Sequence, residues 1–91
     1  MGRLIHPDGI EETVRPAKKR FSLEELQSFV GGYIELVKTR KPVRNMYINE
    51  NGLLDDLPVN PTATILIDPA AYWITPPGVR GSVIVCDKGE G

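Results

Sequence analysis

The sequence predicts one small α+β domain over residues 1–91, with an ordered core from about residue 3 to residue 87. A length of 91 residues suits a single compact domain. The 9 glycines and 8 prolines indicate short elements joined by tight turns, which argues against a helix bundle. One amphipathic helix pattern stands among several short strand-like runs, as in a small sheet that packs against a helix.

The first predicted element is a β-hairpin. Its strands are residues 3–6 and 10–15, and residues 7–9, Pro-Asp-Gly, form the turn. Proline presets φ and glycine accepts the positive φ that closes a hairpin. The positions on these strands that we expect in the core are Leu4, Ile10 and Val14.

A helix is predicted over residues 23–30, and its start is the strongest local signal in the chain. Ser22 and Glu25 have the spacing of a capping box, and Phe21 can pack on Leu26 as a hydrophobic staple. Two glycines then end the helix by supplying a left-handed cap. The predicted apolar stripe consists of Leu23, Leu26, Phe29 and Val30.

Two more strands and a second helix are predicted in the middle of the chain. The strands are residues 33–38 and 45–49, separated by a charged loop. Asn60 is predicted to cap a short helix that has proline at its first position and ends at Ile65 or Leu66.

The last part of the chain is predicted to contain a loop-rich insertion and a buried strand. The insertion is residues 67–81, with one or two helical turns after its Asp-Pro pair. Residues 82–86 form a continuous apolar run, which is typical of a central strand. Tyr72 and Trp73 either complete the core as a lid or serve as an interface anchor, because Trp and Tyr dominate binding hot spots.

The predicted order, hairpin, helix, strand, strand, short helix and strand, resembles the β-grasp arrangement. In that arrangement a mixed sheet wraps one helix, and the last strand lies centrally and parallel to the first. The apolar run at residues 83–85 suits this central position, and the weaker strand at residues 45–49 suits an edge. A ferredoxin-like layout is the alternative, but it needs two full helices.

Positive charge is concentrated in the first half of the chain. Residues 1–45 hold nine Lys/Arg and six Asp/Glu, whereas residues 46–91 hold two and six, and the net charge is −1. In the β-grasp order the loop before the helix and the loop between the middle strands share one end of the sheet, so their cations would form an anion-binding patch. This predicted patch consists of Lys18, Lys19, Arg20, Arg40, Lys41 and Arg44. The alternative is a solvated rim without a partner.

No motif for catalysis, metal binding or a cofactor occurs in the sequence, and we expect a protein that is not an enzyme. His6 is the only histidine and Cys86 the only cysteine, so a zinc site and an internal disulfide are not expected. We interpret His6 as a solvent-facing or hydrogen-bonded strand residue and Cys86 as a small buried hydrophobe. No apolar run is long enough to span a bilayer, and the cytoplasm is the expected compartment.

Three segments resemble a family of small proteins of bacteria, phages and conjugative elements that is classed as a domain of unknown function. The segments are Phe-Ser-Leu-Glu-Glu-Leu-Gln running into Val-Gly-Gly-Tyr-Ile-Glu at residues 21–35, residues 49–64, and the strand at residues 81–86. The resemblance spans about residues 3–87. It departs at residues 67–79, where family members usually have a shorter path into the last strand.

This resemblance implies a mobile-element context and a non-enzymatic accessory role. We therefore expect a binding module that occludes a host protein or sequesters a small anionic ligand, with counter-defence as one such role. Weak nucleic-acid binding through the basic patch is the alternative, although a pI of about 5.8 and the lack of aromatic residues within the patch disfavour it. A homo-oligomer is compatible with the sequence.

Overall fold

The structure, a computed structural model, describes residues 1–40, 45–68 and 78–86, and within these ranges it has five strands and two helices. The elements are β1 (Gly2–Ile5), β2 (Glu11–Val14), α1 (Leu23–Val30), β3 (Ile34–Val37), β4 (Asn45–Asn49), α2 (Pro61–Leu66) and β5 (Val83–Cys86). They follow the predicted order, and the predicted α+β class is confirmed. No helix in the described ranges is long and apolar enough to cross a membrane.

The strands form one sheet in the order β2-β1-β5-β4-β3, and every neighbouring pair is antiparallel. The central position predicted for the last strand is confirmed. The prediction that it runs parallel to the first strand is wrong, because Ile5 pairs with Val83 and Gly2 with Cys86. The prediction that β4 is an edge strand is also wrong, since β4 lies between β5 and β3.

Both faces of the sheet are covered, which explains the continuous apolar run of β5. Successive side chains of a strand point to opposite faces, so Ile84 and Cys86 lie against α1 while Val83 and Val85 lie against α2. We call these the α1 face and the α2 face. The buried residues of the α1 side are Phe21, Leu26, Val30, Ile84 and Cys86. The buried residues of the α2 side are Ile5, Val37, Met46, Ile48, Ala63, Ile67, Val79, Val83 and Val85.

The predicted start of α1 is confirmed in detail. The Glu25 amide donates to Ser22 Oγ at 3.1 Å, and the Ser22 amide donates to Glu25 Oε1 at 2.8 Å. Phe21 and Leu26 lie in one buried cluster, as the staple requires. The helix ends at Gly31 with φ of 79°. The prediction for Leu23 is wrong, since it is 59% exposed in the first turn.

The hairpin forms as predicted, except for one core position. The His6 amide donates to the Ile10 carbonyl at 2.9 Å, and Gly9 has φ of 93°. Leu4 is buried and Val14 is half-buried against the α1-side cluster. Ile10 is exposed, which corrects its assignment to the core. The reason is that α1 packs against β3, β4 and β5, whereas β2 forms the far edge of the sheet.

Asn60 joins α2 to the central strand β5 and to its neighbour β1. Its side chain is fully buried, and its Oδ1 accepts from the Ala63 amide at 3.0 Å, which is the predicted N-cap. Its Nδ2 donates to the carbonyls of Ile5 and Gly81, each at 3.0 Å. The end of β1 therefore lies beside the start of β5, and this juxtaposition requires the two strands to run antiparallel.

Candidate functional site

The two basic loops begin at the same end of the sheet. The strand register places Gly2, Val14, Cys86 and Val37 at one end, which we call the Gly2 end; the opposite end is the Ile5 end. The chain leaves β2 and β3 at the Gly2 end. These strands are the two edges of the sheet, so four spacings of about 4.8 Å, roughly 19 Å, separate the points where the loops begin.

The cations of the two loops have different surroundings. Lys18, Lys19 and Arg20 are exposed just before α1 and form no ion pair with another described residue. Arg40 is held beside the other helix, since its Nε donates to the Ile65 carbonyl at 3.0 Å. Lys41 and Arg44 lie outside the described residues, as do Tyr72 and Trp73. That these cations form one patch, and that the two aromatic residues anchor an interface, stay predictions.

Two exposed leucines lie at the Gly2 end on the α1 face. Leu23 is in the first turn of α1 and is 59% exposed. Leu36 is 57% exposed and has the same strand parity as Ile34, which packs on the α1-side cluster. Of the two, Leu23 lies within a few residues of the cations that precede α1.

A second group of polar residues, which sequence reasoning missed, lies at the Ile5 end. The ring of His6 is hydrogen-bonded on both nitrogens: Nδ1 is 2.7 Å from Ser82 Oγ, and Nε2 is 2.6 Å from Glu12 Oε2. The side chain of His6 is 29% exposed and that of Glu12 is 56% exposed, so solvent reaches the group. This confirms the interpretation of His6 as a hydrogen-bonded residue and adds a serine and a carboxylate to it.

The strand register brings these three residues together. β1 and β5 are antiparallel and Ile5 pairs with Val83, so His6, which follows Ile5, lies opposite Ser82, which precedes Val83. Leu4 pairs with Glu12, which makes Glu12 the diagonal neighbour of His6. By strand parity all three side chains belong to the α1 face, near the edge formed by β2.

Buried backbone contacts hold His6 and Ser82 in place. Asn60 binds the carbonyls of the residues that precede them, as described above. Gly81 has φ of 82°, a left-handed conformation that favours glycine, and its amide donates to the Pro58 carbonyl at 2.7 Å. The chain therefore enters β5 with Ser82 in a fixed position.

The hydrogen-bond chemistry assigns a tautomer to His6. An ionised Glu12 can only accept, so the hydrogen of the neutral imidazole lies on Nε2. Nδ1 is then unprotonated and accepts from the hydroxyl of Ser82. This places a hydroxyl proton on a base that a carboxylate orients, the arrangement by which enzymes activate serine.

Two other groups have shifted pKa values, for reasons of local structure. Hydrogen bonds from the amides of Ser22 and Ala17 lower the pKa of Glu25. Burial, followed by the neighbouring Cys86, raises the pKa of Tyr47. Among the residues that the structure describes, no group of three or more His, Cys, Asp or Glu side chains could hold a metal ion.

Comparison with known proteins identifies a family but no characterised relative. The family model described as Domain of unknown function (DUF3846) matches residues 3–91. Neither the curated proteins nor the solved structures contain a match to the chain.

Proposed function

The chain belongs to the DUF3846 family, a domain of unknown function, and we propose that it is a binding module that captures an acidic surface of another protein through its Gly2 end. The proposed context is the cytoplasm of a bacterium that carries a phage or mobile element. There the module would act as an inhibitor, by occluding a host protein.

The observation that carries this proposal is the exposed cationic segment beside an exposed leucine. Lys18, Lys19 and Arg20 form no ion pair with the described residues, and Leu23 follows directly in the first turn of α1. Protein interfaces combine an apolar centre with a polar rim, and complementary charge raises the rate of encounter. The capping box makes the start of α1 a firm support for these side chains.

A protein partner is favoured over nucleic acid by the same surface. The aromatic residues that stack on bases are absent from residues 15–20, and the pI of about 5.8 lies well below the value of roughly 9 that is typical of nucleic-acid-binding domains. An aliphatic side chain such as Leu23 suits a protein interface better than a phosphate backbone. Nucleic acid remains the competing partner in the experiment.

The experiment is affinity capture from bacterial lysate with four variants of the immobilised protein. We expect Lys19→Glu and Leu23→Ala each to reduce the amount of captured partner about tenfold, since interface hot spots contribute more than ~1 kcal/mol. The matched controls are Arg3→Glu, which makes the same charge change on the opposite, α2 face beside Glu11, and Leu54→Ala, whose residue is 84% exposed in the loop after β4. Both controls should capture as the wild type does.

Two results would contradict the proposal. Equal losses with Lys19→Glu and Arg3→Glu would show that net charge matters and the α1-side surface does not. Loss of all captured material on nuclease treatment, together with a steep fall of DNA or RNA binding with salt, would favour the nucleic-acid alternative.

A further inference from the structure

We propose that Ser82 is an activated nucleophile, with His6 as its general base and Glu12 as the residue that orients His6. The class of substrate is a small carboxylic ester or related acyl donor. This activity is separate from the proposed binding at the Gly2 end, because the three residues lie at the opposite end of the sheet. It departs from the prediction that the protein is not an enzyme.

The geometry supplies the first requirement, a base within reach of the hydroxyl proton. A general base acts at heavy-atom distances of about 2.6–3.2 Å, and His6 Nδ1 is 2.7 Å from Ser82 Oγ. Glu12 Oε2, at 2.6 Å from Nε2, keeps the imidazole in the tautomer that leaves Nδ1 free to accept. Its negative charge also stabilises the imidazolium that forms when the proton moves.

The surroundings supply the second requirement, a fixed but accessible site. Asn60 holds the backbone on both sides through the Ile5 and Gly81 carbonyls, so the serine and the imidazole keep their distance. The partial exposure of His6 and Glu12 leaves a path for a small substrate. The carboxylate of Glu12 would repel an anionic substrate, so we expect neutral or cationic acyl donors.

Hydrolysis of an ester at Ser82 requires only water as the second reactant. Ser82 Oγ forms a bond to the acyl carbon while its proton passes to His6 Nδ1. The bond from the acyl carbon to the leaving alcohol then breaks, and Nδ1 returns the proton to that alcohol. In the second half, water gives a proton to Nδ1 and attacks the acyl carbon, the bond to Oγ breaks, and Oγ takes the proton back.

The test is covalent labelling of the full chain with a phosphonofluoridate probe, located by peptide mass spectrometry. In this reaction Oγ forms a bond to phosphorus, fluoride leaves, and the serine proton passes to His6. The internal reference is Ser28, an exposed serine of α1. We expect Ser82 to react about 100-fold faster than Ser28, within the range that a general base supplies.

Substitutions test the roles of His6 and Glu12. His6→Gln should lower the labelling rate of Ser82 to that of Ser28, and Ser28→Ala should leave the rate at Ser82 unchanged. Glu12→Gln should lower the rate about tenfold, because the amide no longer holds the imidazole in the tautomer that accepts the serine proton. Glu12→Asp, which keeps a carboxylate, should recover part of that rate, whereas a purely structural role of Glu12 would give no such recovery. Circular dichroism of all four variants measures whether the fold is kept.

The proposal is overturned if Ser82 reacts no faster than Ser28 in the wild type, or if a folded His6→Gln variant keeps the wild-type rate. Should His6→Gln fail to fold, Glu12→Gln decides, because Glu12 is exposed on an edge strand. The wild-type labelling rate in that variant would equally overturn the proposal. Release of p-nitrophenol from p-nitrophenyl acetate, lost in Ser82→Ala, would extend the result from the probe to an ester.

Discussion

At the scale of single residues, Asn60 makes three buried side-chain hydrogen bonds. Its side chain satisfies the first turn of α2 through Oδ1 and two backbone carbonyls through Nδ2, and it is fully excluded from solvent. A buried polar group that loses its partner keeps its full desolvation cost, about 1–3 kcal/mol. The stability of this region therefore depends on one amide more than on any exposed charge.

We expect Asn60→Ala to lower the free energy of unfolding by roughly 3 kcal/mol, since it removes an N-cap and the two buried hydrogen bonds from Nδ2 to the carbonyls of Ile5 and Gly81. The control is Asn45→Ala, the same substitution at an exposed site in β4, which should change stability by about 0.5 kcal/mol or less. Urea denaturation of both variants measures the difference. Equal values for the two would show that the Asn60 contacts add nothing net to the fold.

At the scale of elements, α1 shows how local chemistry makes a helix predictable. Ser22, Glu25 and Gly31 lie within ten residues of one another, and each acts through its immediate neighbours. Glu25 accepts from the amides of Ser22 and Ala17, which ties the preceding loop to the helix and lowers the pKa of Glu25. A lowered pKa in the folded state means that the ionised carboxylate stabilises the fold.

The sign of that shift predicts a pH dependence. The stabilisation by Glu25 is fully present above its ordinary pKa of 4.5 and is lost as the pH falls through the lower value of the folded state. We therefore expect Glu25→Gln to be less stable than the wild type at neutral pH, with the gap narrowing below about pH 4.5. Urea denaturation at a series of pH values measures the gap.

The control for this prediction is Glu24→Gln, in the same helical turn. A gap between wild type and Glu25→Gln that stays constant from neutral pH to pH 3 would contradict the assignment of the carboxylate contacts to Glu25.

At the scale of the whole molecule, a different helix packs against each face of the sheet. β5 is central and fully buried, with α1 on one side and α2 on the other. Ile84, fully buried on the α1 face, contacts the same cluster as Phe21 and Leu26. Side chains of this kind lose both apolar burial and packing when they are shortened.

We expect Ile84→Ala to lower the free energy of unfolding by about 2–5 kcal/mol and Ile84→Val by about 0.5–1.5 kcal/mol. Leu54→Ala, at an 84% exposed residue, is the control and should have an effect of about 0.5 kcal/mol or less. Thermal and urea unfolding measure all three. An effect of Ile84→Ala no larger than that of Leu54→Ala would place β5 outside the core.

The sequence predicts the bounds and burial of individual elements better than it predicts how the strands are arranged in the sheet. The bounds of α1 and β4 follow from caps and alternation among neighbouring residues, and the central place of β5 follows from its apolar run. The direction of β5 cannot be predicted in this way, because it depends on contacts between residues far apart in sequence, such as those of Asn60 with Ile5 and Gly81. A parallel pairing would have put Ser82 beside the start of β1, away from His6, so the wrong direction concealed the candidate site.

The central position of β5 has a consequence for synthesis on the ribosome. The hairpin of β1 and β2 and the hairpin of β3 and β4 can each form early, because their strands are close in sequence. Their inner edges meet only through residues 83–86, which emerge last among the described elements. Until then the inner edges of both hairpins, formed by β1 and β4, are unpaired and prone to pair with other chains. The two hairpins can therefore join into one sheet only after nearly all of these 91 residues have been translated.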